Sequence, residues 1–458
     1  MIGQLHVVIL AAGEGKRMHS HHPKVLQPVA GTPMLAHVIR ALGAMDCSGI
    51  HVVVGHAGDE VRILLDALAD DRISIVEQRQ RLGTGHAVQQ AIGRIPASAR
   101  VLVLPGDMPL IRAETLHQFC RLDAGLAILS FIADDPTGYG RILRDDRQRE
   151  TGIREQRDAS PEQAAIREVN SGVLIAEAEP LADWLSRIDN QNRQGEYYLT
   201  DIIELAADDG VEIQSMRCAD VDEPLGANTM AQLAVLEAAL QRRYRNELLE
   251  AGVRMPCPEM VQVRAVVDAG RDVVIDAGVV LEGEIALGDD VLIGIGTVVR
   301  DCRLASGTRI EAYCVLEGVE TTGACRIGPF ARLRAGTSLA ADTRIGNFVE
   351  TKNARFGSGA KASHLSYIGD AEIGAASNIG AGTITCNYDG FEKHRTVIGA
   401  RAFIGSNSSL IAPVRIGAGA TIGAGSVIST DAPDGKLTIT RVRQKVVPGW
   451  RRRRKNSR

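Results

Sequence analysis

A strand-like run, Val7-Val8-Ile9-Leu10, passes directly into Ala11-Ala12-Gly13-Glu14-Gly15-Lys16-Arg17-Met18, and Pro23-Lys24 follows six residues after Arg17. The two glycines let backbone N–H groups come close to phosphate oxygens. Arg17 adds a planar fork that can grip a phosphate through two parallel bonds, and Lys24 supplies a second, mobile cation. Together these residues point to a phosphate-bearing substrate. The segment is not a Walker A loop, because Gly-x-x-x-x-Gly-Lys-Ser/Thr is absent. Nor is it a dinucleotide fingerprint, because the third glycine is missing. A second centre of possible chemistry is His364, in Lys361-Ala362-Ser363-His364-Leu365-Ser366-Tyr367. A neutral imidazole can take a proton from an attacking amine near neutral pH.

Two kinds of scaffold must position these groups. Residues 1–228 alternate short β-branched runs with amphipathic stretches. Strands are expected at His6–Leu10, His51–Val54, Ile73–Val76, Val101–Leu104, Ala127–Ile132, Gly172–Ala176 and Val211–Gln214. Helices are expected at Pro33–Leu42, Asp59–Ala69, Gly85–Ile92, Arg112–Leu122 and Leu199–Ala206. Such alternation argues for a mostly parallel α/β sheet covered on both faces, with its active residues beyond the carboxyl ends of the strands. Leu233, Leu236, Leu240, Tyr244 and Leu248 then recur at three- and four-residue spacing, and Gly252, Pro256 and Pro258 stop the pattern. One long connecting helix is expected there.

From about residue 260 the period becomes six. Ile398, Ile404, Leu410, Ile416, Ile422 and Ile428 form one run, Leu281, Leu287, Ile293 and Val299 another, and Ile327, Leu333, Leu339 and Ile345 a third. One aliphatic per six residues, often followed by glycine, specifies a parallel β-helix. Three repeats close one triangular coil, and no coil is stable without its neighbours. The period breaks between Thr385 and Ile398, which predicts an extruded loop, and loops on such scaffolds commonly carry function.

Composition narrows the class. The chain has 458 residues, 45% apolar and 24% charged, enough for two cores. A net charge of −4 implies no general attraction to nucleic acid or anionic membrane. The basic run Arg451–Lys455 reads as a solvated tail. The eight cysteines are scattered without a Cys-x-x-Cys pair, so a zinc ribbon or redox motif is not expected. No apolar stretch reaches the length of a membrane span. A soluble, reduced, cytoplasmic protein without nucleic-acid or membrane partners is expected.

The phosphate-loop segment resembles that of the sugar-1-phosphate nucleotidyltransferases. Gln78 with Leu82-Gly83-Thr84-Gly85-His86-Ala87 resembles that family's base-recognition segment, and Pro105-Gly106-Asp107-Met108-Pro109-Leu110 its metal-binding turn. The resemblance implies Mg²⁺ at Asp107 and Asn228, and UTP and sugar contacts at Leu10, Ala11, Ala12, Gly13, Lys24, Gln78, Gly83, Thr84, Pro105, Gly106, Gly140, Glu155 and Asn170. Arg17 and Lys24 would offset triphosphate charge. Two positions depart from the family pattern: Pro105 stands where many relatives have Tyr, and Ser171 where many have Thr.

The later segments Arg332-Leu333-Arg334, Asn347–Lys352, Ser377–Thr383 and Thr385–Gly390, together with the first half, resemble the bifunctional N-acetylglucosamine-1-phosphate uridylyltransferase / glucosamine-1-phosphate N-acetyltransferase family. That resemblance implies a left-handed β-helix, acetyl transfer from acetyl-CoA with His364 as base, and a homotrimer built through the β-helix. Arg334, Lys352, Tyr367 and Asn378 would bind the sugar phosphate. Ala381, Asn387, Tyr388, Lys393, Ser406, Ala424 and Arg441 would bind acetyl-CoA. Glu350 is expected to orient His364. The domains expected are a nucleotidyltransferase over 1–228, a linker helix over 229–251, an acetyltransferase β-helix over 252–440 and a basic tail over 441–458. The rival reading keeps the nucleotidyltransferase and makes the β-helix purely structural or regulatory.

Overall fold

Strand β1 (Leu5–Ala11) is apolar at every central position because both of its faces are covered. Val7 and Ile9 join a core with Leu35, Val38 and Leu42 of helix α1 (Met34–Leu42), whereas Val8 joins a core on the opposite face with Ala87, Val88 and Ala91 of α3 (Thr84–Ile92). The other strands are β2 (Gly49–Val54), β3 (Ile73–Glu77), β4 (Arg100–Pro105), β5 (Leu126–Ile132), β6 (Arg141–Arg144), β7 (Glu150–Arg154), β8 (Glu168–Glu177) and β9 (Ile213–Arg217). Helices α2 (Gly58–Leu68) and α4 (Ala113–Cys120) pack beside α1, and α5 (Ala178–Arg187) and α6 (Asp201–Asp208) beside α3.

The sheet runs β9-β5-β8-β4-β1-β2-β3. β1 is parallel to β2 and β4, β2 to β3, and β5 to β9. β8 is antiparallel to both neighbours. The expected α/β class therefore holds, and each expected element is present within a few residues. The β6–β7 hairpin and α5 were not anticipated, because β6 is a four-residue Arg-Ile-Leu-Arg segment and the first turn of α5 carries Glu179 and Pro180 after the N-cap Glu177.

The computed structural model describes residues 4–13, 15–55 and 58–452. The chain separates into two compact units, Met1–Gln241 and Arg242–Arg458, and the division falls inside helix α7 (Met230–Glu250). No described helix is long and apolar enough to cross a membrane. All eight cysteines are free thiols.

The second unit is a parallel β-helix. Its strands form three ladders in which residues pair with ones sixteen to eighteen positions on, as Thr421 with Leu437, Val298 with Val315 and Arg332 with Glu350. Every aliphatic of the three period-six runs is buried in one continuous core. The rise from coil to coil breaks once. Ile384 pairs with Ser409, and Asn378 with Phe403, twenty-five positions on. The additional residues form the loop expected after Thr385, a small hairpin closed by a bridge between Tyr388 and Lys393.

Candidate functional site

The carboxyl ends of β1, β3 and β4 open into a cavity of about 620 Å³. Of the residues singled out in the sequence, Leu10, Ala12, Gly13, Gln78, Gly83, Thr84, Pro105, Asp107, Glu155 and Asn170 line it. Ala11 points instead toward a smaller hollow behind the loop. Gly106 lies beneath the wall, its N–H donating to the Leu10 carbonyl at 2.9 Å. Arg17 is exposed and belongs to neither lining.

Lys24 joins the site through ion pairing. Its Nζ lies 2.5 Å from Asp107 Oδ2 and donates to Asn228 Oδ1 at 2.7 Å. The two oxygens expected to hold a dication therefore already converge on one cationic point. The backbone makes room for this. Gly15 sits at φ +64°, and a Cβ there would come within 2.7 Å of Lys24 Cβ. At Gly226 a Cβ would come within 2.9 Å of Asp107 Oδ2.

The opposite wall depends on a β-bulge. The register of β8 against β5 shifts between Asn170 and Leu174, with Gly172 at φ +85°. A bulge re-aims the side chain beside it, and Asn170 lines the cavity while its Oδ1 accepts from the Gly172 N–H at 3.0 Å. Ser171 lies in the same bulge and faces inward: its hydroxyl donates to the Leu129 carbonyl at 2.7 Å and accepts from Val173 N–H at 3.1 Å. The ring of Pro105 packs toward Gly172, 2.9 Å from the position a Cβ would take there. The Asn170 N–H donates to the carbonyl of Gly140 at 2.8 Å.

Gln78 is buried, and its amide donates to the Gly83 carbonyl at 3.0 Å, shaping the turn before α3. Thr84 Oγ1 accepts from the Leu199 N–H at 3.1 Å. Glu155 accepts from Thr200 Oγ1 at 3.1 Å, and burial pushes its carboxyl above the usual range, partly offset by that bond. Arg81, Glu196, Leu199, Thr200 and Ile203 also line the cavity and were not singled out in the sequence. Arg81 could have been found as a cation between two recognised residues, Gln78 and Gly83. Thr200 carries no local signal, because it is brought to Glu155 from another element.

The second centre lies on one corner of the β-helix. His364 is exposed and pairs in register with Asn347 of the preceding coil. Their side chains meet, His364 Nδ1 to Asn347 Oδ1, at 2.6 Å. Glu350 does not take this role. Its carboxylate accepts from Arg334 Nη1 at 3.2 Å and sits on the next face, in register with Tyr367. Following the corner past His364, the ladder registers bring Ala381, Ser406 and Ala424 to equivalent places on successive coils. Arg441 donates to the Ala424 carbonyl at 3.0 Å. With strands about 4.8 Å apart, the column from His364 to Ala424 is roughly 14 Å long.

Beside it, Arg334 and Lys352 stack on adjacent coils. The Lys393 ammonium of the extruded hairpin lies against Lys352, and this like charge, with Arg334 behind it, lowers the Lys352 pKa. Three cations thus gather where the Tyr367 ring lies back over Gly369; a Cβ there would fall 2.5 Å from Tyr367 Oη. Asn378 is half-buried on the ladder that also carries His364. The hairpin is tied to the coil at its base, where Asp370 accepts from the amides of both Asn353 and Asn387. Tyr388 is exposed on the hairpin, its hydroxyl donating to the Gly390 carbonyl at 2.6 Å.

The MobA-like NTP transferase domain description matches residues 7–170, and the bacterial transferase hexapeptide description, six repeats, matches residues 395–430. A protein named bifunctional protein GlmU from Stenotrophomonas maltophilia K279a is 53% identical over 457 residues, covering 100% of both chains. Proteins of that name from Xanthomonas axonopodis pv. citri and Xylella fastidiosa 9a5c are 54% and 52% identical, each covering 99% of both chains. Identity at that level along the whole length, over both the cavity and the coil, means that the chain belongs to the bifunctional GlmU family.

Proposed function

We infer that this chain makes UDP-N-acetylglucosamine in two steps. It transfers acetyl from acetyl-CoA to glucosamine 1-phosphate on the β-helix, then uridylyl from UTP to the product in the N-terminal cavity. The observation that carries the reading is the pairing of a phosphate-loop cavity with a coil corner bearing an oriented imidazole.

In the acetyl step, Asn347 Oδ1 can only accept, so it keeps the proton of His364 on Nδ1 and leaves the Nε2 lone pair outward. Nε2 takes a proton from the sugar ammonium. The freed amine attacks the thioester carbonyl and the C–N bond forms; as the C–S bond breaks, nitrogen gives up its second proton, which the departing thiolate takes up, while the first leaves His364 to solvent. Arg334, Lys352 and Lys393 gather positive charge suited to the sugar's phosphate. The column through Ala381, Ser406 and Ala424 offers a long, narrow track for an extended thioester carrier. This corner is open in a single chain, and the stacked exposed rings of Tyr313, Phe330 and Phe348 run along the neighbouring position. A homotrimer, with a neighbouring copy closing each site, accounts for both features.

In the uridylyl step, an oxygen of the sugar phosphate attacks the α-phosphorus of UTP and pyrophosphate leaves. Gln78, Gly83 and Thr84 hold the base end, and Glu155, Asn170 and the Gly140 backbone hold the sugar. Lys24 offsets charge on the phosphates. Asp107 and Asn228 present hard oxygens to one point, which suits Mg²⁺ completed by phosphate and water oxygens. When bound there, Mg²⁺ supplies charge neutralisation on the triphosphate.

The test is product analysis with glucosamine 1-phosphate, acetyl-CoA, UTP and Mg²⁺ in one vessel. UDP-N-acetylglucosamine, free CoA thiol and pyrophosphate are expected. His364→Ala should abolish thiol release and spare pyrophosphate release from N-acetylglucosamine 1-phosphate, and Asp107→Ala should do the reverse. Loss of both activities in both variants would sink the division of labour. Absence of thiol release in the folded wild type would favour a β-helix that is only structural.

A further inference from the structure

Arg81 lies outside the glycine-rich pattern, yet it occupies the boundary between two recesses. It lines the large cavity with Ala12, Gly13 and Asp107, and also the small hollow behind the loop with Ser20 and Pro23. Among the described residues it is the single cation in the large cavity's wall, which also carries the carboxylates Asp107, Glu155 and Glu196. Lys24 approaches from outside that wall and is engaged with Asp107 and Asn228.

Its position is built into the backbone. Gly55 follows the last residue of β2, and a Cβ there would lie 2.9 Å from the Ala12 carbonyl oxygen and 2.9 Å from both Nε and Nη2 of Arg81. Only a residue without a side chain lets the guanidinium rest against the strand end beside the phosphate loop. Any side chain at 55 would displace it toward the cavity or push the loop away.

We propose that Arg81 is a binding residue for the pyrophosphoryl end of the nucleoside triphosphate, the part that leaves. This rests on reading the cavity as the UTP site. The guanidinium is held next to Ala12 and Gly13, on the loop side of the cavity, whereas Glu155 and Asn170 stand on the opposite wall. A planar fork offers two parallel N–H donors to phosphate oxygens, which an ammonium cannot reproduce. It stabilises the substrate triphosphate and the departing pyrophosphate together, so the reverse reaction depends on it equally.

The test uses the full-length protein with Mg²⁺ and compares binding of UTP, pyrophosphate and UMP in the wild type, Arg81→Gln and Arg81→Lys. Loss of charge-assisted bonds predicts roughly 10- to 100-fold weaker UTP and pyrophosphate binding in Arg81→Gln. UMP affinity should stay within about threefold of the wild type, and that retention also reports an intact cavity. Arg81→Lys should fall between the two. The KM for UTP should rise in parallel while the KM for N-acetylglucosamine 1-phosphate holds. Unchanged UTP affinity, or equal loss of UTP and UMP, overturns the assignment to the leaving end. If the wild type itself binds no UTP, the nucleotide reading of the cavity falls, and this inference with it.

Discussion

His364 Nδ1 meets Asn347 Oδ1 at 2.6 Å across one turn of the coil, between residues that are register partners in the same ladder. The contact is therefore held by backbone pairing on both sides, and it sets which imidazole nitrogen keeps its lone pair for the proposed proton transfer. Asn347→Ala should lower kcat for acetyl transfer roughly 10- to 100-fold, since an orienting partner is lost while the base remains. Asn347→Asp retains an acceptor but adds negative charge, which favours the imidazolium. The acidic limb of its pH–rate profile should move to higher pH than in the wild type. Steady-state kinetics across pH check both, and a profile that does not move in Asn347→Asp would remove the orienting role.

That partner was within reach of the sequence. Counting seventeen residues back from His364, one coil, reaches Asn347. Glu350 was expected there because it is acidic and near, but it falls past the corner on the adjoining face, where Arg334 holds it. The six-residue runs were readable because each face needs one aliphatic and little else. The cavity was readable only where a loop motif is contiguous. Thr200 on Glu155, and the seat of Arg81 against Gly55, depend on segments distant in the chain meeting, which no local spacing encodes. The bulge that aims Asn170 was likewise hidden, since a strand pattern gives no sign of a shifted register.

Glu155 is poised between two opposing effects. Burial raises its pKa, and the hydrogen bond from Thr200 favours the charged form. If Glu155 accepts sugar hydroxyls, as proposed, it must be ionised, so affinity for N-acetylglucosamine 1-phosphate should fall as pH drops through the raised pKa. Thr200→Val removes a bond to the charged form and should shift that fall to still higher pH. Titration of KM for the sugar phosphate, with UTP saturating, is the measurement. A shift toward lower pH in the variant would contradict this account.

At the other end of the sheet, His6 and His51 stack with centroids 5.5 Å apart, and His6 Nδ1 lies 3.2 Å from His51 Nε2. Burial, then the neighbouring His6 and Arg94, pull the His51 pKa down from 6.5 to about 4. The folded state thus resists a proton that the unfolded chain accepts below about 6.5. Stability from this site is complete above that pH and is lost as pH falls toward 4. Protection factors of the β1 and β2 amides, exchange rates corrected for their intrinsic pH dependence, should fall over this window. His51→Asn, which does not titrate, should flatten the dependence, and an equally steep dependence in that variant would count against the pair.

Gly369 tests the acetyl site without a large effect on the coil. Its φ lies outside the left-handed region, so alanine is conformationally allowed, and the nearest obstacle is the far end of a side chain, Tyr367 Oη, at 2.5 Å from the added Cβ. The ladder around Gly369 keeps its N–H bonded to Thr385 Oγ1 at 2.8 Å. Gly369→Ala should therefore fold and force the Tyr367 ring away from Lys352. If Tyr367 binds the sugar phosphate, as the family resemblance implies, KM for glucosamine 1-phosphate should rise roughly 10-fold, in keeping with the loss of one or two hydrogen bonds. KM for acetyl-CoA should change little, since the column proposed for it, Ala381–Ser406–Ala424, follows the other ladder. Tyr367→Phe combined with Gly369→Ala should add almost nothing beyond the larger single effect, because both act through one hydroxyl. Full additivity in that double variant would show that the glycine acts on something other than Tyr367.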